Sequence, residues 1–197
     1  SEWADSKQLT FHIQRYPGVN LELDYAGKQL YLHNRRNPEE TTKVTIFIAA
    51  LTYSDYFYAE GMTECDIRNW IRVNNNALAY FGGVTPTVTP DNCKVAVARN
   101  KDWISPVLNK DFQAWAEHNN TVLTPAKVKS PRWKPVVEGH VKLVTMHILM
   151  DMEDMVFYSL DDLNRVLMEK VAAENRKPFE GLSYSRYDLF TTEEKET

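Results

Sequence analysis

Long apolar runs are missing from this sequence of 197 residues. The longest candidate, residues 44–51, has the length of a β-strand and falls well short of the roughly 20 residues that a membrane-spanning helix needs. The first residues contain neither a basic nor an apolar stretch, which is not the pattern of a secretory signal peptide. An initiator methionine is also missing, so we expect the chain to be a processed or excised piece of a longer protein.

Cysteine is scarce, because only Cys65 and Cys93 are present. They show no CxxC spacing and have no histidine at zinc-finger distance, which argues against a structural zinc site. A disulfide between them remains open at this stage. Two reduced thiols in a cytosolic protein are the simpler interpretation.

Positive charge is in short supply overall, since the net charge is −4. That balance alone argues against nucleic-acid binding, but the charges are unevenly distributed. Residues 92–150 carry 9 basic and 4 acidic side chains, whereas residues 151–197 carry 6 basic and 12 acidic ones. The central third of the chain therefore has the charge to face a phosphate backbone. The length and the 43% hydrophobic content are those of one soluble domain.

Apolar and polar residues alternate in the first part of the chain. Residues 19–25 and 29–33 both show the period of a half-buried strand, with residues 26–28 as a turn, which predicts a β-hairpin. Residues 43–51 predict a buried strand. Residues 55–59 either continue that strand or form a short neighbour.

The remainder of the chain alternates between helical and strand patterns. Helices are predicted over residues 63–81, 108–119, 136–150 and 159–175, and short strands over residues 85–89 and 121–124. This order predicts an α/β fold with a mixed, five-stranded sheet flanked by helices.

Three acidic residues fall where functional sites tend to collect. Asp24 ends the first predicted strand, Asp91 follows the fourth, and Glu138 lies in the first turn of a predicted helix. If the two strands are neighbours, both aspartates lie at one edge of the sheet. Taken singly, each residue has a simpler interpretation, as a turn residue or as a partner of the helix dipole. Composition and periodicity do not separate these three from the other acidic residues.

Clustered carboxylates need a cation, because they otherwise repel and raise one another's pKa. Their hard oxygen atoms favour Mg²⁺, or Mn²⁺ as a substitute, over zinc. A pair of such ions suits in-line phosphoryl transfer.

Three stretches of the sequence, in this order, resemble the IstA-type transposases of two-gene bacterial insertion elements. They are Leu23-Asp24-Tyr25-Ala26-Gly27, Pro90-Asp91-Asn92-Cys93-Lys94 and Val137-Glu138-Gly139 after a basic, proline-containing loop. The resemblance covers nearly all of residues 19–190. It implies an RNase H-like DDE catalytic core that transfers transposon 3′-ends into target DNA. It also implies that Asp24, Asp91 and Glu138 are the catalytic metal ligands.

The same resemblance implies further partners and boundaries. Asn92 would contact the metal ligands without binding the metal itself, although a role in stabilising the turn fits the sequence equally well. Relatives carry flanking DNA-binding and β-rich domains, assemble as homo-oligomers and work with an AAA+ ATPase of the IstB type in the bacterial cytoplasm, associated with the nucleoid. We expect residues 1–18 to be a lead-in segment, residues 19–178 the catalytic core and residues 179–197 a linker.

A basic cluster precedes and follows Glu138. We expect it to contact DNA phosphates, with Trp133 available for base stacking. A solvated loop with a packed tryptophan is the alternative, and Trp133 and Pro135 depart from the polar run seen in many relatives. The cluster comprises Lys127, Lys129, Arg132, Lys134 and Lys142.

Two other functions remain open from sequence alone. A metal-dependent nuclease or resolvase on the same fold would stop at hydrolysis, without joining DNA ends. A non-enzymatic DNA-binding or assembly module would not need a metal.

Overall fold

A computed structural model describes residues 15–91, 93–96, 102–126 and 140–197. The first half contains strands β1 to β4 and helix α1, and the second half alternates short strands with helices. In chain order the elements are β1 (Asn20–Tyr25), β2 (Leu30–His33), β3 (Thr41–Leu51), β4 (Phe57–Met62), α1 (Ile67–Phe81), β5 (Thr87–Pro90), β6 (Val95–Ala96), β7 (Trp103–Ile104), α2 (Lys110–His118), β8 (Val122–Leu123), α3 (His140–Met152), α4 (Leu160–Arg176) and α5 (Arg186–Leu189).

The central sheet is mixed, as the sequence predicts. Its strand order is β2-β3-β1-β5-β8, with β4 also pairing with β3. The pairs among β1 to β4 are antiparallel, whereas β5 runs parallel to both β1 and β8. The parallel pair β1–β5 is the feature that positions the candidate site.

The predicted hairpin between residues 19–25 and 29–33 is wrong, because β1 and β2 both pair with β3. Tyr25 lies opposite Phe47 and Leu30 lies opposite Val44, so residues 26–29 carry the chain onward along β3. The amide of Ala26 still donates to the carbonyl of Ile46 at 2.8 Å. Apolar and polar residues alternate on both sides of an Ala-Gly pair. This pattern fits one long, interrupted strand as well as a hairpin, which explains the error.

The β3 strand is buried on both faces. Phe47, Ala49 and Leu51 join one apolar cluster, whose largest buried side chain is Trp70 of α1. Ile46 and Ile48 join a second cluster with residues from α3 and α4. Successive strand residues point to opposite faces, so an unbroken apolar run is what a central strand between two helical layers requires.

Two asparagines of α4 cover the backbone of β4. The Asn164 side chain accepts from the Gly61 amide at 2.6 Å and donates to the Gly61 carbonyl at 3.2 Å. Asn175 makes the same pair of bonds with Phe57, at 3.3 and 2.8 Å. These amides satisfy strand groups that would otherwise be left unpaired beside the helix.

Helix α1 begins later than the pattern predicts. Asp66, rather than Thr63, is the N-cap residue, and its side chain accepts from the Asn69 amide at 2.9 Å. The helix ends as predicted at Gly82, which has a left-handed φ of 78° that glycine adopts without strain. None of the helices in the described part of the chain is both long and apolar enough to cross a bilayer.

The polar segment after α4, expected to be a linker, folds back onto the core. Phe190 stacks on Tyr56 with ring centroids 4.4 Å apart. The buried Glu194 carboxylate accepts from the amides of Gly18 at 3.0 Å and Ser54 at 3.1 Å. Tyr187 also packs on Tyr56, so aromatic side chains and a buried carboxylate together hold a segment of acidic composition against the core. The division of the chain into 1–18, 19–178 and 179–197 stays a prediction.

Candidate active site

Asp24 and Asp91 lie side by side at the end of the parallel pair β1–β5. The register pairs Asn20 with Thr87 and Leu23 with Pro90, so one further step places Asp24 beside Asp91. The Asp91 amide donates to the Leu23 carbonyl at 2.7 Å, which continues the ladder to this point. Carboxyl ends of neighbouring parallel strands form a common edge, where ligands bind in open α/β sheets.

The Asp24 carboxylate is held on both oxygens. Its Oδ1 accepts from the Tyr25 amide at 2.8 Å, and its Oδ2 accepts from the Lys142 ammonium at 3.0 Å. Burial raises the pKa of Asp24 above its usual value and outweighs the lowering by Lys142, while the nearby charge of Asp91 raises it further. A cation beside a carboxylate in this setting stabilises the ionised form.

Helix α3 brings Lys142 to the site. Its ammonium forms an ion pair with Asp24, and the lysine side chain is 48% exposed while the aspartate side chain is 20% exposed. The structure shows the ion pair of Lys142 with Asp24, whereas contact of Lys142 with DNA stays a prediction. Glu138 precedes Lys142 by four residues in the sequence.

Tyr25 and Cys93, which no sequence pattern singles out as functional, tie the strand ends together. The Tyr25 hydroxyl donates to the Lys94 carbonyl at 3.2 Å, and the Tyr25 ring packs edge-on against Trp70. The Cys93 thiol lies 3.2 Å from the Asp91 carbonyl and 3.5 Å from the Leu23 carbonyl. Burial, followed by the charges of the two aspartates, raises the pKa of Cys93, so its thiol stays protonated and serves as a donor.

The described part of this site does not include Glu138 or Asn92. Their roles therefore stay predictions. Within residues 15–91, 93–96, 102–126 and 140–197, no three His, Cys, Asp or Glu side chains form a metal-binding group. The rest of the basic cluster also lies outside the described residues, so its contact with DNA stays a prediction; it comprises Lys127, Lys129, Arg132 and Lys134.

A hard divalent cation fits the side chains present. The side chains of Asp24 and Asp91, which end these neighbouring strands, offer carboxylate oxygens, and such hard donors suit Mg²⁺ or Mn²⁺. Cys93, the soft ligand nearby, is buried and directed at carbonyl groups. The ammonium of Lys142 at 3.0 Å shows that Asp24 Oδ2 already attracts positive charge.

The chain is similar over almost its whole length to insertion-sequence transposases. It is 31% identical over 189 residues to a protein assigned as the transposase of IS408 from Burkholderia multivorans, and this match covers 96% of the chain and 36% of that protein. It is 32% identical over 191 residues to the corresponding IS1162 protein of Pseudomonas fluorescens, covering 95% and 33%. The chain thus spans about a third of the length of these relatives. No family model matches the chain.

Solved structures with the same fold include retroviral integrases. A chain of the simian T-cell lymphotropic virus intasome, solved with a PP2A regulatory subunit, superposes with a TM-score of 0.64 at 14% identity, over 92% of this chain and 58% of that one. The HTLV-2 integrase catalytic core domain, solved with magnesium, gives a TM-score of 0.55 at 13% identity, covering 89% and 97%. The fold is therefore that of the RNase H-like integrase catalytic core, as the resemblance to transposases implies.

Proposed function

We propose that the chain is the catalytic core of a DNA transposase of the DDE type, with Asp24, Asp91 and Glu138 as its metal ligands. The observation that carries the proposal is the adjacency of Asp24 and Asp91, fixed by the 2.7 Å bond from the Asp91 amide to the Leu23 carbonyl. Similarity to insertion-sequence transposases supports DNA as the substrate. The integrase-core fold supports a reaction at a phosphodiester.

The reaction is transfer of a phosphodiester between two DNA strands. The 3′-hydroxyl of the transposon end attacks a target phosphorus, the new P–O bond forms, and the target 3′-oxygen leaves with a proton. Magnesium held by the three carboxylates would stabilise charge on the attacking and leaving oxygens.

The residues of the chain contribute position and charge. The β1–β5 pairing holds two carboxylates at one level, and the bond from Tyr25 to Lys94 holds the segment after Asp91 against the end of β1. Lys142 supplies positive charge beside them, where DNA phosphates would approach. Positioning of this kind accounts for a large share of catalysis in phosphoryl transfer.

The specific type of transposase is a further part of the proposal. The motifs around Asp24, Asp91 and Glu138 support an IstA-type enzyme that acts with an IstB-type ATPase and assembles as a homo-oligomer on DNA ends. The IS21 transposase of Pseudomonas aeruginosa is among the relatives, at 27% identity over 133 residues. That match covers 68% of the chain and 33% of that protein.

A joining assay tests the proposal. A labelled duplex with a free 3′-hydroxyl end is incubated with a target plasmid, Mg²⁺ and the protein, and joined products are separated by size. We expect joined product from the wild type and a loss of roughly 100-fold or more in Asp24→Asn, Asp91→Asn and Glu138→Gln. Asp151→Asn, an exposed carboxylate on α3, is the matched control.

The products distinguish the alternatives. Shortened strands without joined product would assign the chain to metal-dependent nucleases instead. Joined product that persists in Asp91→Asn would show that the carboxylates are misassigned. Neither product, together with no binding of Mg²⁺ or Mn²⁺, would favour the non-enzymatic module.

A further inference from the structure

Lys142 bonds to a carboxylate that we assign to metal binding. Its ammonium lies 3.0 Å from Asp24 Oδ2, and the lysine side chain remains 48% exposed. The Asp24 side chain is 20% exposed, so the ion pair lies at the mouth of the site. Among the described residues, Lys142 is the cation whose charge lowers the pKa of Asp24.

We propose that Lys142 exchanges partners during assembly of the active complex. It neutralises Asp24 before a divalent cation arrives, and it moves to a DNA phosphate once the cation binds. This inference rests on the proposed function, because it takes Asp24 to be a metal ligand. It makes Lys142 the residue that couples metal binding to DNA binding.

The exchange follows from the geometry of the ion pair. A divalent cation bound to Asp24 Oδ2 would occupy the space of the ammonium, and the two positive charges would repel one another at this distance. A lysine on a flexible four-carbon stem can change direction without any backbone movement. Its exposure provides the path to solvent and to a bound duplex.

Coupling between two ligands is reciprocal. If metal binding frees Lys142 for DNA, then DNA, by attracting Lys142, must improve metal binding by the same factor. Without DNA, the charge of Lys142 opposes the metal. Without the metal, Asp24 holds Lys142 and makes it unavailable to DNA. The metal and the DNA together remove both penalties.

Calorimetric titration with Mn²⁺ gives the first test. The proteins are the wild type, Lys142→Met and Lys28→Met. Lys28 is the matched control, because its ammonium pairs with Glu153 at 2.8 Å and it does not contact Asp24. Without DNA, we expect Lys142→Met to bind Mn²⁺ roughly threefold to tenfold more tightly than the wild type, and Lys28→Met to be unchanged.

The same titration in the presence of a short blunt DNA duplex separates exchange from simple charge removal. We expect the duplex to tighten Mn²⁺ binding by the wild type and by Lys28→Met, with most of this gain absent in Lys142→Met. Simple removal of a positive charge would leave the effect of the duplex unchanged in all three proteins. That second result would overturn the inference.

The salt dependence of DNA binding gives a readout independent of metal affinity. In Mn²⁺, the slope of log affinity against log salt should be smaller by about 1 in Lys142→Met than in the wild type. In EDTA the two slopes should agree, since Lys142 is then paired with Asp24. Equal slopes under both conditions would overturn the inference.

Failure of this inference is distinguishable from failure of the proposed function. The exchange alone is refuted if the wild type binds Mn²⁺, Asp24→Asn abolishes that binding, and Lys142→Met leaves it unchanged or weakens it. No saturable Mn²⁺ binding by the wild type, with or without the duplex, refutes both.

Discussion

The backbone amide of Asp91 donates to the carbonyl of Leu23 at 2.7 Å. This bond continues the parallel β1–β5 ladder and brings Asp24, the residue after Leu23, level with Asp91. Two carboxylates 67 positions apart in the chain, by the numbering, thus become neighbours through backbone pairing rather than through side-chain contacts. Their relative position is set by the pairing of the two strands.

The ionised form of Asp24 costs folding stability at neutral pH. Burial raises its pKa above 3.8 in the folded protein, so the folded state holds the proton more tightly than the unfolded state does. Stability therefore falls as pH rises through the interval between 3.8 and the raised pKa, and it remains lower above that interval.

Asp24→Asn removes this cost. At pH 7 we expect its Tm to equal or exceed that of the wild type by up to roughly 3 °C, with the difference disappearing at acidic pH. Scanning calorimetry across pH measures this, with Asp151→Asn as the control. A Tm at pH 7 several degrees below the wild type would contradict a net cost of ionised Asp24 to folding.

Tyr25→Phe should loosen the segment that carries Asp91 while preserving the core. The substitution removes the hydroxyl bonded to the Lys94 carbonyl at 3.2 Å and keeps the ring against Trp70. We expect a loss of about 1 kcal/mol in the free energy of unfolding and roughly twofold to fivefold weaker Mn²⁺ binding. Urea denaturation and calorimetry measure the two effects, and Tyr31→Phe, at an exposed position, is the control. Unchanged Mn²⁺ affinity would show that this bond is not part of the site.

Sequence patterns predict that Asp24 and Asp91 lie at strand ends because the signals there are local, whereas the pairing of the two strands stayed a condition and the predicted hairpin was wrong. Strand periodicity before Asp24 and a short β-prone run before Asp91 are enough to place both residues at strand ends. What selected these two carboxylates, together with Glu138, was the family resemblance rather than periodicity. The adjacency of the first two is now a structural observation, and the part played by Glu138 stays a prediction.

Features that depend on distant contacts were not predictable from the sequence. Ala26-Gly27 signals a turn, but the chain continues along β3, and a side chain at Gly27 would meet Met146 of α3. Lys142 reaches Asp24 across 118 positions, and no periodicity encodes that pairing. No local pattern encodes the contacts of the two α4 asparagines with β4 either, because their partners are backbone groups of another element.

Asn175→Leu tests the cover over β4. The change leaves both the amide and the carbonyl of Phe57 without their partner, and Asn175 is itself buried. We expect a loss of about 2–3 kcal/mol in the free energy of unfolding. Chemical denaturation compares it with Asn37→Leu, an exposed position. A loss no larger than that of the control would mean that solvent or another group replaces the asparagine.

Glu194→Gln tests the attachment of the final segment. Both carboxylate oxygens accept backbone amides, from Gly18 and Ser54, and an amide side chain would present a donor to one of them. We expect a loss of about 1–3 kcal/mol. Glu196→Gln, at an exposed position, should have no measurable effect. Wild-type stability in Glu194→Gln would indicate that the packing of Tyr187 and Phe190 on Tyr56, with the other contacts of this segment, is sufficient to hold it.

The central claim is that the edge formed by Asp24 and Asp91 binds a divalent cation. The most direct test is calorimetric titration with Mn²⁺ of the wild type beside Asp91→Ala, with Asp151→Ala as the control. We predict saturable binding by the wild type and the control, and its loss in Asp91→Ala. Saturable binding that Asp91→Ala leaves unchanged would contradict the site, and with it the assignment of this edge to phosphoryl transfer.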